Sequence, residues 1–402
     1  MKTLTTIAAL SMASAGSLLA QSLFDLAPSL TDDQDLPLTW TAGVSVGWDD
    51  NPVPLSGNSD DTLFLQGFVG ASFLTNTPQT TTSFFARAGA LHYLDNLEGA
   101  DDTAPVVGLG LNVTHRVNDR LRLVSNNSVS YERQPNYSIG TIGANQIGDY
   151  LTYSSDNAVG YRWSERFATY TGVRFSGVEY ENNNIFAADL ASWSVYNQFR
   201  YQLTEQTVLT AEVSYGETDV DEVGDSQNIF ITAGVEHRFS PTSIVTLRGG
   251  VQIREVDNVD GDETSPFGEI ALQTQVNQSF SVRGYGRYSI QDFSRGVAGS
   301  NVAITGNQVL RVGLEGRLQI SEKLSVFAGV NYIDQEYLVD GGNDFDDSIF
   351  NAFGGANLAL TDSLTLNATY NFEDFSGESN VGGVADRDYN RNRVNLGLTA
   401  TF

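Results

Sequence analysis

The feature that most constrains this chain is an alternation of period two that recurs from Leu38 to the last residue. The final run, Tyr389 to Phe402, reads YNRNRVNLGLTATF. Val394, Leu396, Leu398, Ala400 and Phe402 fall on one face. Arg391, Arg393, Asn395, Gly397, Thr399 and Thr401 fall on the other. Side chains of a strand alternate faces, so this run is a ribbon with one apolar and one polar side. Apolar residues recurring at two, rather than at three and four, exclude an amphipathic helix.

Similar runs cover about 38–50, 61–75, 81–95, 104–117, 120–134, 149–162, 166–181, 188–203, 207–218, 227–240, 243–257, 265–277, 279–293, 304–320, 324–338, 347–360, 364–376 and 389–402. The breaks between them are of two kinds. One is very short, as at Asn118-Asp119, Ser164-Glu165, Pro241-Thr242 and Asn277-Gln278. The other is longer and rich in Gly, Asn and Asp, as at 96–103, 135–148, 257–265 and 376–388. The two kinds alternate. That pattern predicts an all-β fold: a single closed antiparallel transmembrane β-barrel of about eighteen strands, or sixteen if two weak runs fail, with short periplasmic turns and longer extracellular loops. An even count puts both ends on the periplasmic side.

Composition narrows the function classes. The chain has 402 residues with a net charge of −27, and phosphate recognition needs clustered Lys and Arg, so nucleic acid is not an expected partner. There are no cysteines, which removes disulfides and thiolate metal sites. A mean hydropathy of −0.19 suits a barrel in which half of each strand faces water. No stretch after the N-terminus approaches the ~20 apolar residues of a spanning helix. Residues 1–20 read as an export signal: Lys2, an apolar stretch from Leu4 to Leu10, and a cleavage point between Ala20 and Gln21, with Ala13-Ser14-Ala15 as an alternative site. Residues 21–37 read as a short periplasmic segment, and 38–402 as the barrel.

Twenty of the 22 basic residues are Arg. On the predicted lumen face fall Arg248, Arg254, Arg283, Arg287, Arg311, Arg317, Arg391 and Arg393, with Glu315 among them. A charge facing lipid at mid-membrane costs about 2–4 kcal/mol, so the alternation turns them inward. These are candidate pore-lining residues. One reading is a basic wall that selects anionic solutes. The other is that they pair with Glu269, Glu315, Glu373 and neighbours and stiffen the lumen. In the first half of the chain the alternation leaves open which of Phe84 and Phe85 faces the lumen. The acidic residues concentrate in the long breaks, readable either as divalent-cation ligands or as a solvated rim.

Catalytic signals are weak. Gly43-Val44-Ser45-Val46-Gly47 matches a hydrolase pattern but lies inside a strand run, away from any strand-to-helix elbow. His92, His115 and His237 show no metalloprotease spacing. No catalytic residue, no metal site and no cofactor is expected.

The ending on an outward aromatic, with Leu396, Leu398, Ala400 and Phe402 on one face, resembles the C-terminal assembly signal of Gram-negative outer-membrane barrels. Residues 41–52, TAGVSVGWDDNP, resemble the opening strand of the beta-barrel porin type 2 family. The first resemblance implies the outer membrane, with its lipid and the barrel-assembly machinery as partners. The second implies a porin-like pore, and some relatives are linked to exopolysaccharide export. The expected function is therefore passive diffusion of small hydrophilic solutes. A conduit for exopolysaccharide and a closed structural or adhesive barrel stand as alternatives, and homo-oligomerisation stays open.

Overall fold

The computed structural model describes residues 38–54, 61–97, 100–134, 148–181, 189–221, 225–257, 263–292, 304–339, 345–378 and 387–402. The expected export signal over 1–20, the segment 21–37 and most of loop 135–148 lie outside the described residues.

Eighteen strands follow one another: β1 (Leu38–Asp49), β2 (Thr62–Asn76), β3 (Thr80–Tyr93), β4 (Thr103–Arg116), β5 (Leu121–Glu132), β6 (Tyr150–Arg162), β7 (Phe167–Tyr180), β8 (Leu190–Thr204) and β9 (Thr207–Val220). The second half continues with β10 (Ser226–Ser240), β11 (Ser243–Val256), β12 (Glu263–Asn277), β13 (Phe280–Gln291), β14 (Ile304–Gln319), β15 (Leu324–Val339), β16 (Phe345–Ala359), β17 (Leu364–Glu378) and β18 (Arg387–Thr401). Each pairs antiparallel with its neighbours in sequence, and β1 pairs with β18, so the sheet is a closed barrel of eighteen strands. At the seam, Val44 lies opposite Leu398 and Val46 opposite Leu396. The Trp40 and Phe402 backbones exchange hydrogen bonds of 3.1 and 2.9 Å. Closure removes the unpaired edges that an open sheet would carry.

Turn chemistry sorts the two ends. Eight connections are two to four residues long and nine are five to seventeen. The Asn118 side-chain oxygen accepts from the backbone N–H groups of Arg120 and Leu121 at 2.8 and 2.9 Å. Ser164 and Ser321 do the same for the residues that open β7 and β15. Short polar side chains thus replace the missing turn bonds, and two residues suffice to reverse an antiparallel pair.

The burial pattern is inverted relative to a water-soluble core. Arg311 is 2% exposed and Glu373 2%, whereas Val44 is 65% exposed and Leu314 53%. The register assigns these sets to opposite faces. On β11, Val245, Leu247, Gly249, Val251 and Ile253 point outward and Thr246, Arg248, Gly250, Gln252 and Arg254 inward; β12 and β10 continue both rows. On β3 the register puts Phe84 outward opposite Phe73, and Phe85 inward opposite Ser72 and Gly110. Gly110 is required there, because a Cβ at that position would overlap the Phe85 ring. Outward aromatics form two levels. Tyr131, Tyr153, Trp193, Tyr215 and Tyr332 lie toward the long-loop end, and Tyr161, Trp163 and Phe239 lie at the short-turn end.

The inward face is not polar throughout. Val124, Ala158, Ala168, Tyr170 and Tyr196 form one buried apolar cluster, and Phe64, Leu91, Tyr93 and Leu97 another. Large side chains fill the inside of the wall on β2–β8, where the sequence alternation is least regular.

Candidate functional site

The charged residues of the inward face are arranged as a chain running around the wall. Arg174 on β7 donates to Asp156 on β6 at 3.2 Å and to Glu212 on β9 at 2.9 Å. Its guanidinium lies 3.7 Å from the ring centroid of Tyr196, whose hydroxyl donates to Asp156 at 2.9 Å. Gln198 donates to the other Glu212 oxygen at 2.9 Å. Arg248 on β11 lies 3.8 Å from Glu212 and 2.6 Å from Glu269 on β12. The signs alternate from Asp156 through Arg174, Glu212 and Arg248 to Glu269. Arg174, Glu212 and Arg248 each have an opposite charge on both sides, which is the arrangement that offsets the desolvation of partly buried ions.

The alternation breaks at the next two strands. Arg287 on β13 lies opposite Glu269, and Arg311 on β14 lies opposite Arg287. Two guanidinium side chains therefore occupy directly paired positions, where like charges are destabilising. Arg311 donates to Gln291 at 3.0 Å, while its Nε and Nη1 are buried without a hydrogen-bond partner. Arg287 lies 5.5 Å from the Phe267 ring centroid, and its Nε is likewise unpartnered. Phe267, Tyr285 and Ser289 share this inward region of β12 and β13. A pair of forked donors with unused N–H groups can accept a planar anion such as a carboxylate.

The other sequence-predicted residues are placed separately. Arg254 pairs with Asp292 at 2.6 Å. Arg283 lies opposite Glu315 in register, and Arg317 reaches Glu315 at 3.9 Å. Arg391 and Arg393 both approach Asp49 at the seam: Arg391 donates through Nε at 2.8 Å, and the Arg393 Nε stands 3.7 Å away as an ion pair without a hydrogen bond. Tyr93 donates to the same carboxylate at 3.1 Å. Thus Arg248, Arg287 and Arg311 form one neighbourhood, Arg283, Glu315 and Arg317 another, and Arg391 and Arg393 a third. Leu396, Leu398 and Ala400 face outward along the seam, opposite Val46, Val44 and Ala42.

Sequence reasoning did not single out Asp156, Arg174 or Glu212, and it counted Asp49 among the acidic residues of the long breaks, whereas Asp49 ends β1 and is buried against Arg391. The signal was present, since Glu212 shares its face with Thr210 and Ser214 and is flanked by outward Ala211 and Val213. Arg200 on β8, 2% exposed and paired with Glu236 on β10, was missed in the same way.

Gly43, Ser45 and Gly47 point inward from the middle of β1, with the rings of Phe68 and Phe64 over the two glycines. His92, His115 and His237 sit outward near strand ends, each beside a threonine at 2.7–2.9 Å. Among the described residues, no three His, Cys, Asp or Glu side chains gather as metal ligands would. At the long-loop end, Asp225 sits beside Asp219 and near Asp257, and this crowding raises its carboxyl above the ordinary range.

No family model matches the sequence, so the resemblance at residues 41–52 gains no support there, and no curated protein matches. Solved structures do. The outer membrane protein OpdK from Pseudomonas aeruginosa matches with a TM-score of 0.48 and 11% identity, over 91% of this chain and 99% of that one. OccAB4 from Acinetobacter baumannii gives 0.45 and 12%, over 92% and 99%. The siderophore receptor PirA from Pseudomonas aeruginosa gives 0.41 and 10%, over 92% and 81%.

Proposed function

We propose that this chain is an outer-membrane channel for small hydrophilic solutes, with a preference for anions set at Arg287 and Arg311. A closed barrel satisfies every backbone group internally and is one of the two backbone forms that can cross a bilayer. Leu, Val and Ile side chains exposed on most of the eighteen strands call for an apolar surrounding. An eighteen-stranded barrel is wide enough to leave an aqueous channel. Export through the expected N-terminal signal would deliver it to that membrane.

The observation that carries the anion preference is the break in charge alternation. Asp156, Arg174, Glu212, Arg248 and Glu269 alternate in sign along the wall with one negative charge in excess, which Arg287 opposite Glu269 balances. Arg287 and Arg311 follow as two adjacent cations with unused donors. A carboxylate arriving between them restores the alternation, and a cation there meets repulsion from both. Arg248, Arg254 and Arg391, held by Glu269, Asp292 and Asp49, act as struts of the wall.

The test is single-channel current through the refolded protein in a planar bilayer under a salt gradient. The expected result is a steady conductance with a reversal potential on the anion side. Arg287→Gln combined with Arg311→Gln should move that potential toward zero while conductance persists. A folded barrel without conductance would overturn the channel. Conductance with no anion preference would overturn the assignment of Arg287 and Arg311.

A further inference from the structure

The outward face of the barrel is apolar between its two aromatic levels except on β5–β8. There, Ser125 and Asn127 on β5 lie opposite Asn157 and Ser155 on β6, all four facing outward. They form a closed ring. Ser125 donates to the Asn157 side-chain oxygen at 2.6 Å, and Asn157 donates to Ser155 at 2.7 Å. Ser155 donates to Asn127 at 2.7 Å, and Asn127 returns to Ser125 at 2.8 Å. On the next two strands Asn197 donates to Thr171 at 2.7 Å, also outward. Tyr131 and Tyr153 mark the aromatic level beyond the ring on one side, and Tyr161 on the other. Outward carboxylates and amides elsewhere, such as Glu217, Asp334, Gln308 and Asn392, sit at or past the aromatic level, beside Tyr215, Tyr332, Tyr288 and Phe372.

We propose that this face is a subunit interface occupied by a second copy of the chain. The inference rests on the lipid-embedded barrel proposed above. A primary amide has two N–H donors and an oxygen with two lone pairs. In the ring each Asn uses one N–H and accepts one bond, so each keeps a donor that lipid tails cannot satisfy. The six side chains are uncharged, so they do not call for an ionic partner or a lipid headgroup.

What they call for is a surface with matching donors and acceptors at the same depth, and another copy has it by construction. The ring is also self-complementary, because Ser-x-Asn on β5 runs antiparallel to Ser-x-Asn on β6. A two-fold axis along the membrane normal keeps both copies in one orientation and sets β5 of one against β6 of the other. The spare N–H groups of one Asn pair then meet the serine hydroxyls of the facing wall. Small residues at the contact let the two walls approach closely, as membrane interfaces favour.

The chain has no cysteine, which makes single-thiol cross-linking specific. Val129→Cys, next to the ring on β5, and Leu314→Cys on β14, away from it, are to be treated in native membranes with a bis-maleimide. The expected result is a cross-linked dimer from Val129→Cys and none from Leu314→Cys. Adding Asn127→Leu and Asn157→Leu should lower the dimer yield about tenfold or more, which is ~1.4 kcal/mol of association. Equal cross-linking at both sites, a monomer at both, persistence of the dimer in the leucine variant, or attachment of Val129→Cys to a different protein would each overturn the interface. Labelling of both thiols by a monofunctional maleimide and heat-modifiable migration on gels show that the variants are folded. Failure to integrate into membranes would instead defeat the channel reading.

Discussion

Asp49 of β1 and Arg391 of β18 stand 342 residues apart in sequence and form a buried ion pair across the seam that closes the barrel. Asp49 is 0% exposed, and its carboxylate also takes Arg393 and the Tyr93 hydroxyl. Beside it, Asp50 accepts from the backbone and side-chain nitrogens of Asn392 at 2.6 and 2.7 Å. The first and last strands are thus latched through polar groups at the long-loop end and through Trp40 and Phe402 at the short-turn end.

Removing the shared acceptor should open that latch. Asp49→Ala leaves Arg391 and Arg393 buried without their counter-ion, and breaking a buried pair costs about 3–5 kcal/mol. Asp50→Ala loses two hydrogen bonds from neutral donors to a carboxylate but strands no buried charge, and should cost about 1.5–3 kcal/mol. Urea unfolding from lipid vesicles measures both. Equal losses would show that the ion pair contributes nothing beyond ordinary hydrogen bonding.

The outward band predicts a strong dependence on lipid. Leu314, 53% exposed on β14, should tolerate Arg at a cost of about 2–4 kcal/mol, the penalty at mid-bilayer. A change within about 0.5 kcal/mol, as at an ordinary water-facing position, would count against a lipid-facing wall.

Arg311 and Arg287 should respond to anions. If a carboxylate binds between them, wild-type stability rises by about 1.4 kcal/mol for each tenfold increase in acetate above its dissociation constant. Arg311→Met should abolish that dependence. It should also be no less stable than wild type at low acetate, because it removes one of two facing cations. A parallel acetate response in both proteins would exclude this pair as the site.

Glu212 neutralises both Arg174 and Arg248. Glu212→Gln leaves the wall one unit more positive, so the reversal potential should move further toward anions, with a stability loss of about 1–3 kcal/mol from the disturbed bonds. A shift toward cations would contradict a lumen whose selectivity follows its summed wall charge.

The long-loop end should answer to pH. Asp219, the largest influence on Asp225, raises its carboxyl above the ordinary value, with Asp257 adding to the effect. A raised carboxyl pKa means that the folded state holds its proton more tightly than the unfolded state. The repulsion is therefore present above the folded value and fades as pH falls through it. Asp225→Asn should slow proteolysis at the β9–β10 connection at pH 7, and the benefit should shrink as pH falls through the carboxylate range. A larger benefit at pH 4 would reverse the assignment.

Period two in the sequence was enough to determine strands, the order of short and long connections, and the faces of β11, β13, β14 and β17, and it narrowed the strand number to eighteen or sixteen. The reason is local: a strand that separates two media must alternate, and a two-residue break can only join antiparallel neighbours. Where both faces are mixed, the alternation loses its contrast. Phe84 and Phe85 could not be assigned until β4 placed Gly110 under the Phe85 ring. The outward position of Ser125 and Asn127 comes only from their register with β6. The arginines were legible as inward one by one, but which carboxylate each one meets depends on strands brought together by closure. Arg174 reaches Glu212 across 38 residues, Arg391 reaches Asp49 across 342, and Arg287 meets Arg311 with no acid between them. Alternation sets the face of a side chain from its own neighbours in sequence. Partnership is set by register and by closure of the ring, and that is a property of all eighteen strands at once.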